Sequence, residues 1–460
     1  MTNSIVTINV SITTAPAPLT LQQTGAFISQ GGTNLSAGTY SLLTQAADLT
    51  PLLGSSLLLV SLTWSGGTVL ASVSGVLPGL TSGDTFITTI SGCTPAGYNG
   101  TYLATVTGAS TFTYALATNP GTETIAGQYT PPNQYELFSM ATTFFGQGGA
   151  QSVYVLELGA GNGSTGPTAL GAWITTNPGI FYSYLVPRIW DAKPNFLGLV
   201  ANFEALNAKT YFFTTTTTST YMSYTPQMKS VVALIEAPGI PLTEFSLAAA
   251  FQHALNYAPS TTNRMTPFAF SFLFGVTSYP TVGNAALLAT LKTANINYIG
   301  TGAEGGISTA IILWGKNLDG NDFSWWYSVD WIQLNSDQAI SNAVINGSNN
   351  PLNPLYYNQN GINQLQDVVV QTVQNAITFG LANGTANRTA LDGITFQENY
   401  DEGDYSDQNV VNAVPFLLYT QENISAYKTG VYGGLSLVYI PQRGFTNIIF
   451  NIQVSEFITP

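Results

Sequence analysis

Apolar and polar positions alternate most regularly at the two ends of the chain. Near the start, in a segment opening at Ile5, Val6, Ile8, Val10 and Ile12 fall on one side of an extended backbone. Thr7, Asn9 and Ser11 fall on the other. Near the end, a stretch opening at Phe445 runs through Ile448 and Ile449, and then Phe450, Ile452 and Val454 alternate with polar residues. Period-two alternation rich in β-branched and aromatic residues predicts strands. Chain ends are more often polar and frayed. An apolar terminal strand needs an edge to pair with, in its own subunit or, by strand addition, in a neighbour. Open edges recruit other chains and are normally blunted, so two strand-forming arms point towards polymerisation.

Between the arms the pattern changes several times. Short strands are expected at Gly25 to Ser29 and Thr39 to Leu43. From Leu62 to Gln128 short alternating segments with turn residues read as a small all-β module, with strands at Asp84 to Ile90, Gly100 to Val106 and Thr111 to Leu116. Pro131 and Pro132 close it off. Asn133 to Phe145 reads as a helix capped by Asn133. Strand-like runs then alternate with helix-like ones. Strands are predicted at Gln151 to Leu158, Ile180 to Leu185, Thr210 to Thr214, Val231 to Glu236 and Pro267 to Val276. Helices are predicted at Thr168 to Thr176, Asn195 to Lys209 and Leu242 to Ala258. That order indicates helices layered on a sheet. Further on, a helix from Ala285 to Ala294 precedes strands at Asn295 to Gly300 and Ala310 to Gly315. Two long helices, Ser324 to Val344 and Gly361 to Leu381, follow, with Ile362, Leu365, Val369, Val373 and Ile377 on one face of the second. Strands at Val410 to Tyr419 and Gly434 to Ile440 lead to the final arm.

The fold class expected is a multidomain α+β protein with mixed α/β core layers, an inserted small all-β domain and strand-forming arms. The expected divisions are an N-terminal arm at 1–22, the start of the core at 23–61, the β insertion at 62–130, an α/β domain at 131–282, a C-terminal core at 283–440 and a C-terminal arm at 441–460.

Composition sharpens this picture. Only 7% of the 460 residues are charged, against a usual quarter. Uncharged polar groups must therefore cover the surface, which suits burial against other subunits because few charges need desolvating. Ten Lys and Arg against 23 Asp and Glu give a net charge of -13, which argues against nucleic acid as a direct partner. No run reaches the eighteen or so apolar residues of a spanning helix, and Met1 to Ser4 has no signal-like character, so neither a membrane nor a secretory leader is expected.

Chemistry-bearing residues are sparse. His253 is the only histidine and Cys93 the only cysteine, so no zinc site is expected and no disulfide framework. No GxSxG elbow accompanies His253 and no Gly-rich phosphate loop occurs. Both residues read as structural. Asp401, Glu402, Asp404 and Asp407 form one acidic run, which reads first as a solvated loop and only second as oxygen ligands for a cation. Trp325 and Trp331 with Leu334 are spaced for core packing on one helix face. A sugar-stacking role for them and for Tyr356 and Tyr357 is the lesser reading. No catalytic residue, cofactor or metal is assigned.

One set of motifs adds a resemblance. Ala294-Asn295-Ile296-Asn297-Tyr298, Trp314-Gly315 with Asp319-Gly320, Val329-Asp330-Trp331-Ile332, and Tyr356-Tyr357-Asn358-Gln359-Asn360-Gly361-Ile362 stand in that order. Over roughly 285–380 the chain resembles the C-terminal core of contractile bacteriophage (myovirus) tail sheath proteins, though Asn358-Gln359 stands where the family pattern has Thr-Asp. The segment from Val76 to Tyr102 also looks like a β module of phage tail proteins. The resemblance implies a non-enzymatic virion subunit, assembled in the host cytoplasm, that polymerises as stacked hexameric rings around a tail tube. It implies tube, baseplate and tail terminator proteins as partners, and contraction by rigid-body movement during genome ejection. Strand arms would join neighbours. The competing expectations are a baseplate or adhesin subunit whose β insertion binds glycans and, more remotely, a carboxylate-based glycosidase.

Overall fold

The computed structural model describes residues 21–445 apart from 78, 150, 207, 225–226, 256–258 and 304–306. The arm residues Ile5, Val6, Ile8, Val10, Ile12, Ile448, Ile449, Phe450, Ile452 and Val454 lie outside the described residues. Of the arm positions named above only Phe445 is described, and it is exposed.

Strands β1 (Gly25–Ser29) and β2 (Tyr40–Leu43) open the fold. Strands β3 (Leu57–Ser65), β4 (Thr68–Val73), β5 (Thr85–Ser91), β6 (Gly100–Gly108), β7 (Thr111–Ala115) and β8 (Gln128–Tyr129) close into a barrel in the order β3-β4-β7-β6-β5-β8. Alternation along these strands sends Val69, Ala71, Phe86, Ile90, Ala104, Val106 and Phe112 into one apolar interior. The barrel starts earlier than the expected Leu62, because Leu57 and Leu58 pair with Tyr129 and Gln128 to complete the closure.

After the barrel come α1 (Pro132–Phe145), β9 (Val153–Glu157), α2 (Thr165–Thr176), β10 (Ser183–Leu185), α3 (Pro194–Ala205), β11 (Tyr211–Thr216), β12 (Val231–Ile235), α4 (Ser246–Ala254), α5 (Ala285–Thr293), β13 (Asn297–Ala303) and β14 (Ile307–Leu313). Eight strands form one sheet in the order β14-β13-β12-β11-β10-β1-β9-β2. The six inner strands are parallel, and β2 and β14 run antiparallel at the two edges. Burial along the inner strands shows no alternation, because both faces are covered. Phe213, Val232 and Leu234 pack on the side of α1 and α4. Phe212, Val231, Ala233 and Ile235 pack on the side of α2, α3 and α5.

The rest of the chain comprises α6 (Phe323–Asn349), α7 (Gln359–Thr378), β15 (Thr385–Thr389), α8 (Gly393–Asp401), β16 (Gln408–Ala413), α9 (Phe416–Glu422), α10 (Ile424–Lys428) and β17 (Leu435–Val438). β16 is the centre of a three-stranded sheet, parallel to β15 and antiparallel to β17. α7 packs against it through Gln366, whose amide donates to Thr389 and Val411 carbonyls.

Four expectations need correction. The division at 283 cuts through one sheet, since β13 pairs with β12 at Leu234–Asn297 and Ile235–Tyr298. Pro267 to Val276 is not a strand: Phe270 and Gly275 both have positive φ, 64° each, which breaks a regular ladder. The strand at Val410 ends at Ala413, because Pro415 cannot donate to a ladder and sits instead at the start of α9. α1 starts one residue before the expected cap, with Pro132 at its first position, and the Asn133 amide donates to the Gln30 carbonyl.

Candidate assembly surfaces

α6 is the element on which the described chain ends converge. Its first turns are buried under the large sheet through Phe323, Tyr327 and Trp331. Near the start of the described chain, the Gln22 side-chain amide donates to the Tyr327 carbonyl at 2.8 Å. Near its end, the Arg443 guanidinium lies 5.0 Å above the Trp325 ring, and the Gly444 backbone N–H donates to the Asp322 carboxylate. The same helix ties the small sheet in: the Ser328 hydroxyl contacts the Leu381 carbonyl and the Tyr439 hydroxyl. Both ends of the described chain therefore lie at one joint between the two sheets.

The small sheet beside that joint has open edges. β15 and β17 each pair only with β16 among the described residues. The large sheet leaves β2 paired only with β9 among the described residues but covers its other edge. Its β14 edge is covered by the irregular segment 268–276, where Phe270 and Leu273 N–H donate to Ile312 and Ala310 carbonyls, and Ile312 N–H to that of Ser271.

The motif residues are structural knots. Asn295 has φ 57° and its amide donates to the Leu318 carbonyl. The fully buried Asn297 side chain bonds Ala233 and both backbone groups of Lys316, locking β13 to β12 and to the turn after β14. Gly320, at φ 87°, makes the Asp-Gly turn, and Asp319 accepts the Trp326 indole N–H at 2.7 Å. The Asp330 carboxylate accepts the hydroxyls of Tyr182 and Tyr211, each at 2.9 Å. Burial pushes its pKa up, and the two phenols oppose that. At Asn358, where the chain departs from the family pattern, the side chain accepts the Gly361 N–H at 3.0 Å and so caps α7.

Two carboxylate clusters that sequence reasoning missed lie at the carboxyl ends of the parallel strands. Glu157 accepts from Ser29 and Thr33 hydroxyls and from the N–H groups of Gly31, Thr33 and Gly159. Arg188 donates two bonds to Glu236, at 2.7 and 2.8 Å, and lies 4.0 Å over the Phe245 ring. Only a fold places these groups together: Ser29 and Glu157 are 128 positions apart. A cleft of about 360 Å³ opens between this region and the barrel, bordered by Glu136, Arg188 and Lys193 on one side and by Asp84, Phe86 and Leu103 on the other.

The remaining candidates fall as follows. Cys93 is buried in the barrel, its thiol against the Ala126 carbonyl at 2.9 Å, and burial pushes its pKa up. His253 is mostly buried, which pushes its pKa down, and it hydrogen-bonds the Phe272 backbone. Asp401, Glu402, Asp404 and Asp407 lie at the exposed end of α8 and in the turn after it. Among the described residues no group of three or more His, Cys, Asp or Glu is placed to hold a metal ion, and no helix is long and apolar enough to cross a membrane. Trp331 is buried against Phe379, Trp325 packs on Trp326, and Tyr356 is exposed.

No protein-family model matches the chain, and no curated protein matches it. Among solved structures, a chain in the cryo-EM structure of the anti-feeding prophage baseplate, 6-fold symmetrised, is similar over 99% of this chain and 100% of that chain, at 12% identity and a TM-score of 0.49.

Proposed function

We propose that this chain is a structural subunit of a contractile tail sheath. It polymerises as stacked hexameric rings around an inner tube and contracts by rigid-body rearrangement of its subunits. The observation that carries this reading is the open-edged small sheet beside the α6 joint from which both described chain ends depart. An open edge next to a strand-forming arm suits strand addition between copies, since main-chain ladders join subunits with little dependence on side chains. Each copy then donates arms and receives them. Such head-to-tail contacts propagate as a helix. The large sheet, buried on both faces, is the rigid body that moves, and the barrel lies outside the strand exchange. The reading gives the chain a tube protein, a baseplate and a terminator as partners, a place in the virion tail after cytoplasmic assembly, and no catalytic role.

The test is negative-stain electron microscopy of the purified full chain beside chains lacking residues 1–13 or 445–460. Tubes or stacked rings from the full chain, and small species from both truncations, are the expected result. Unchanged assembly by both truncations sinks the reading. Identical closed rings from all three chains favour a baseplate or adhesin subunit instead, with the barrel as the part to assay for glycans.

A further inference from the structure

The segment covering the β14 edge carries a feature the strand arms do not explain. Phe270, Phe272 and Phe274 are exposed by 39%, 56% and 52%, while Phe268 and Leu273 are buried beneath them. The three exposed rings, alternating with Ser271 and the buried Leu273, make an aromatic ridge along the covered edge. Aromatic rings carry about 150–250 Å² each, so the ridge presents roughly 300 Å² of apolar surface, comparable to the largest patch on a typical soluble monomer, which is often functional. The ridge is held in place. Beyond the bonds to β14, the Gln147 amide both donates to the Phe274 carbonyl and accepts its N–H, at 2.8 Å each. His253 holds the Phe272 backbone. Phe270 keeps a backbone conformation uncommon for a bulky residue. A surface fixed in advance loses little entropy on docking.

A second apolar patch lies at the far end of α6. This 27-residue helix is about 40 Å long, and only its first half lies in the core. Val344 and Ile345 near its end, with Leu352 and Tyr356 in the turn to α7, are exposed by 42%, 60%, 94% and 66%. The turn folds back on the helix, with Leu355 N–H donating to the Gly347 carbonyl.

Both patches sit in charge-free sequence. No charged residue occurs between Arg264 and Lys292, or between Asp337 and Asp367. Copies with a net charge of -13 repel through their charged faces and approach most easily where charge is absent. A specific interface buries about 800 Å² per partner, a little over half of it apolar, and either patch supplies most of that apolar share. We propose that the Phe270–Phe272–Phe274 ridge of one copy docks on the α6–α7 tip of a second copy. Two different surfaces on one chain make a heterologous contact, which repeats from copy to copy. The inference rests on the self-assembly reading above and names side-chain surfaces for it.

The test uses two full-length variants, Phe272→Glu and Leu352→Glu, in sedimentation velocity, with circular dichroism melting to confirm folding. Each alone is expected to lose polymers and raise the assembly concentration at least tenfold. Mixed one to one, they are expected to form discrete dimers, because the intact tip of the first meets the intact ridge of the second. Wild-type assembly by either variant overturns the inference. So does a mixture without dimers, or dimers of Leu352→Glu alone, which mean ridge on ridge. Phe272→Ser and Leu352→Ser repeat the test if a glutamate variant melts early. Dimers in the mixture together with unaffected arm truncations sink the sheath reading but leave this contact standing; the reverse pattern does the opposite.

Discussion

The two sheets of this protein treat their edges differently: the large one covers β14 and leaves β2 paired only with β9, and the small one covers neither edge among the described residues. The eight-stranded sheet is buried on both faces, and its β14 edge is covered by the chain itself. The three-stranded sheet is covered by α7 and open at both edges among the described residues. β15 is polar and half exposed, whereas β11 and β12 are wholly buried. An uncovered edge strand presents unpaired backbone groups to other chains. One chain contains both kinds of edge, and α6 joins the two sheets.

The largest effect is expected where the two sheets meet. Asp330→Ala leaves the Tyr182 and Tyr211 hydroxyls without their acceptor in the interior and should cost roughly 3 kcal/mol in urea unfolding. Asp330→Asn keeps an acceptor and should cost less than about 1 kcal/mol. Equal losses in both variants would break the idea that hydrogen bonding, rather than charge, holds the joint.

A similar loss, on the order of 3 kcal/mol, is expected for Glu157→Ala, which orphans donors at the ends of β1 and β9. Removal of the barrel should matter less. Ser55 and Gln134 are joined by a hydrogen bond at 3.0 Å, so a short Gly-Ser linker in place of 57–129 should leave the large sheet folded, as judged by cooperative melting.

The pH dependence of stability should carry two opposite contributions. Burial raises the folded-state pKa of Asp330 above the ordinary 3.8, so its contribution is fully present below 3.8 and fades as pH rises through the folded value. Burial lowers that of His253 below 6.5, so its contribution is present above 6.5 and fades as pH falls through the folded value. Asp330→Asn and His253→Gln should each flatten their own part of a melting-temperature profile, and a profile unchanged in both would refute the assignment. The smallest effect belongs to the exposed Arg388–Asp367 pair: Asp367→Ala should change stability by less than about 0.5 kcal/mol.

Much of this architecture was legible in the sequence, for reasons that are local. The runs at Val153 and Val231 are apolar without alternation, as a strand buried on both faces reads. The barrel strands alternate and are punctuated by turn residues. The helix predicted from Gly361 is set by backbone preference and capping, which act over three or four residues. Tertiary structure decided the rest. Pro267 to Val276 reads as a strand because apolar residues crowd it, yet it lies irregularly along the β14 edge with a positive φ at Phe270 and leaves three rings exposed. The partners of Glu157, Arg188 and Asp330 are 48 or more positions away in sequence for every side-chain pair described. A carboxylate's neighbours across such distances are fixed by strand order, and strand order depends on long-range closure that no local pattern encodes.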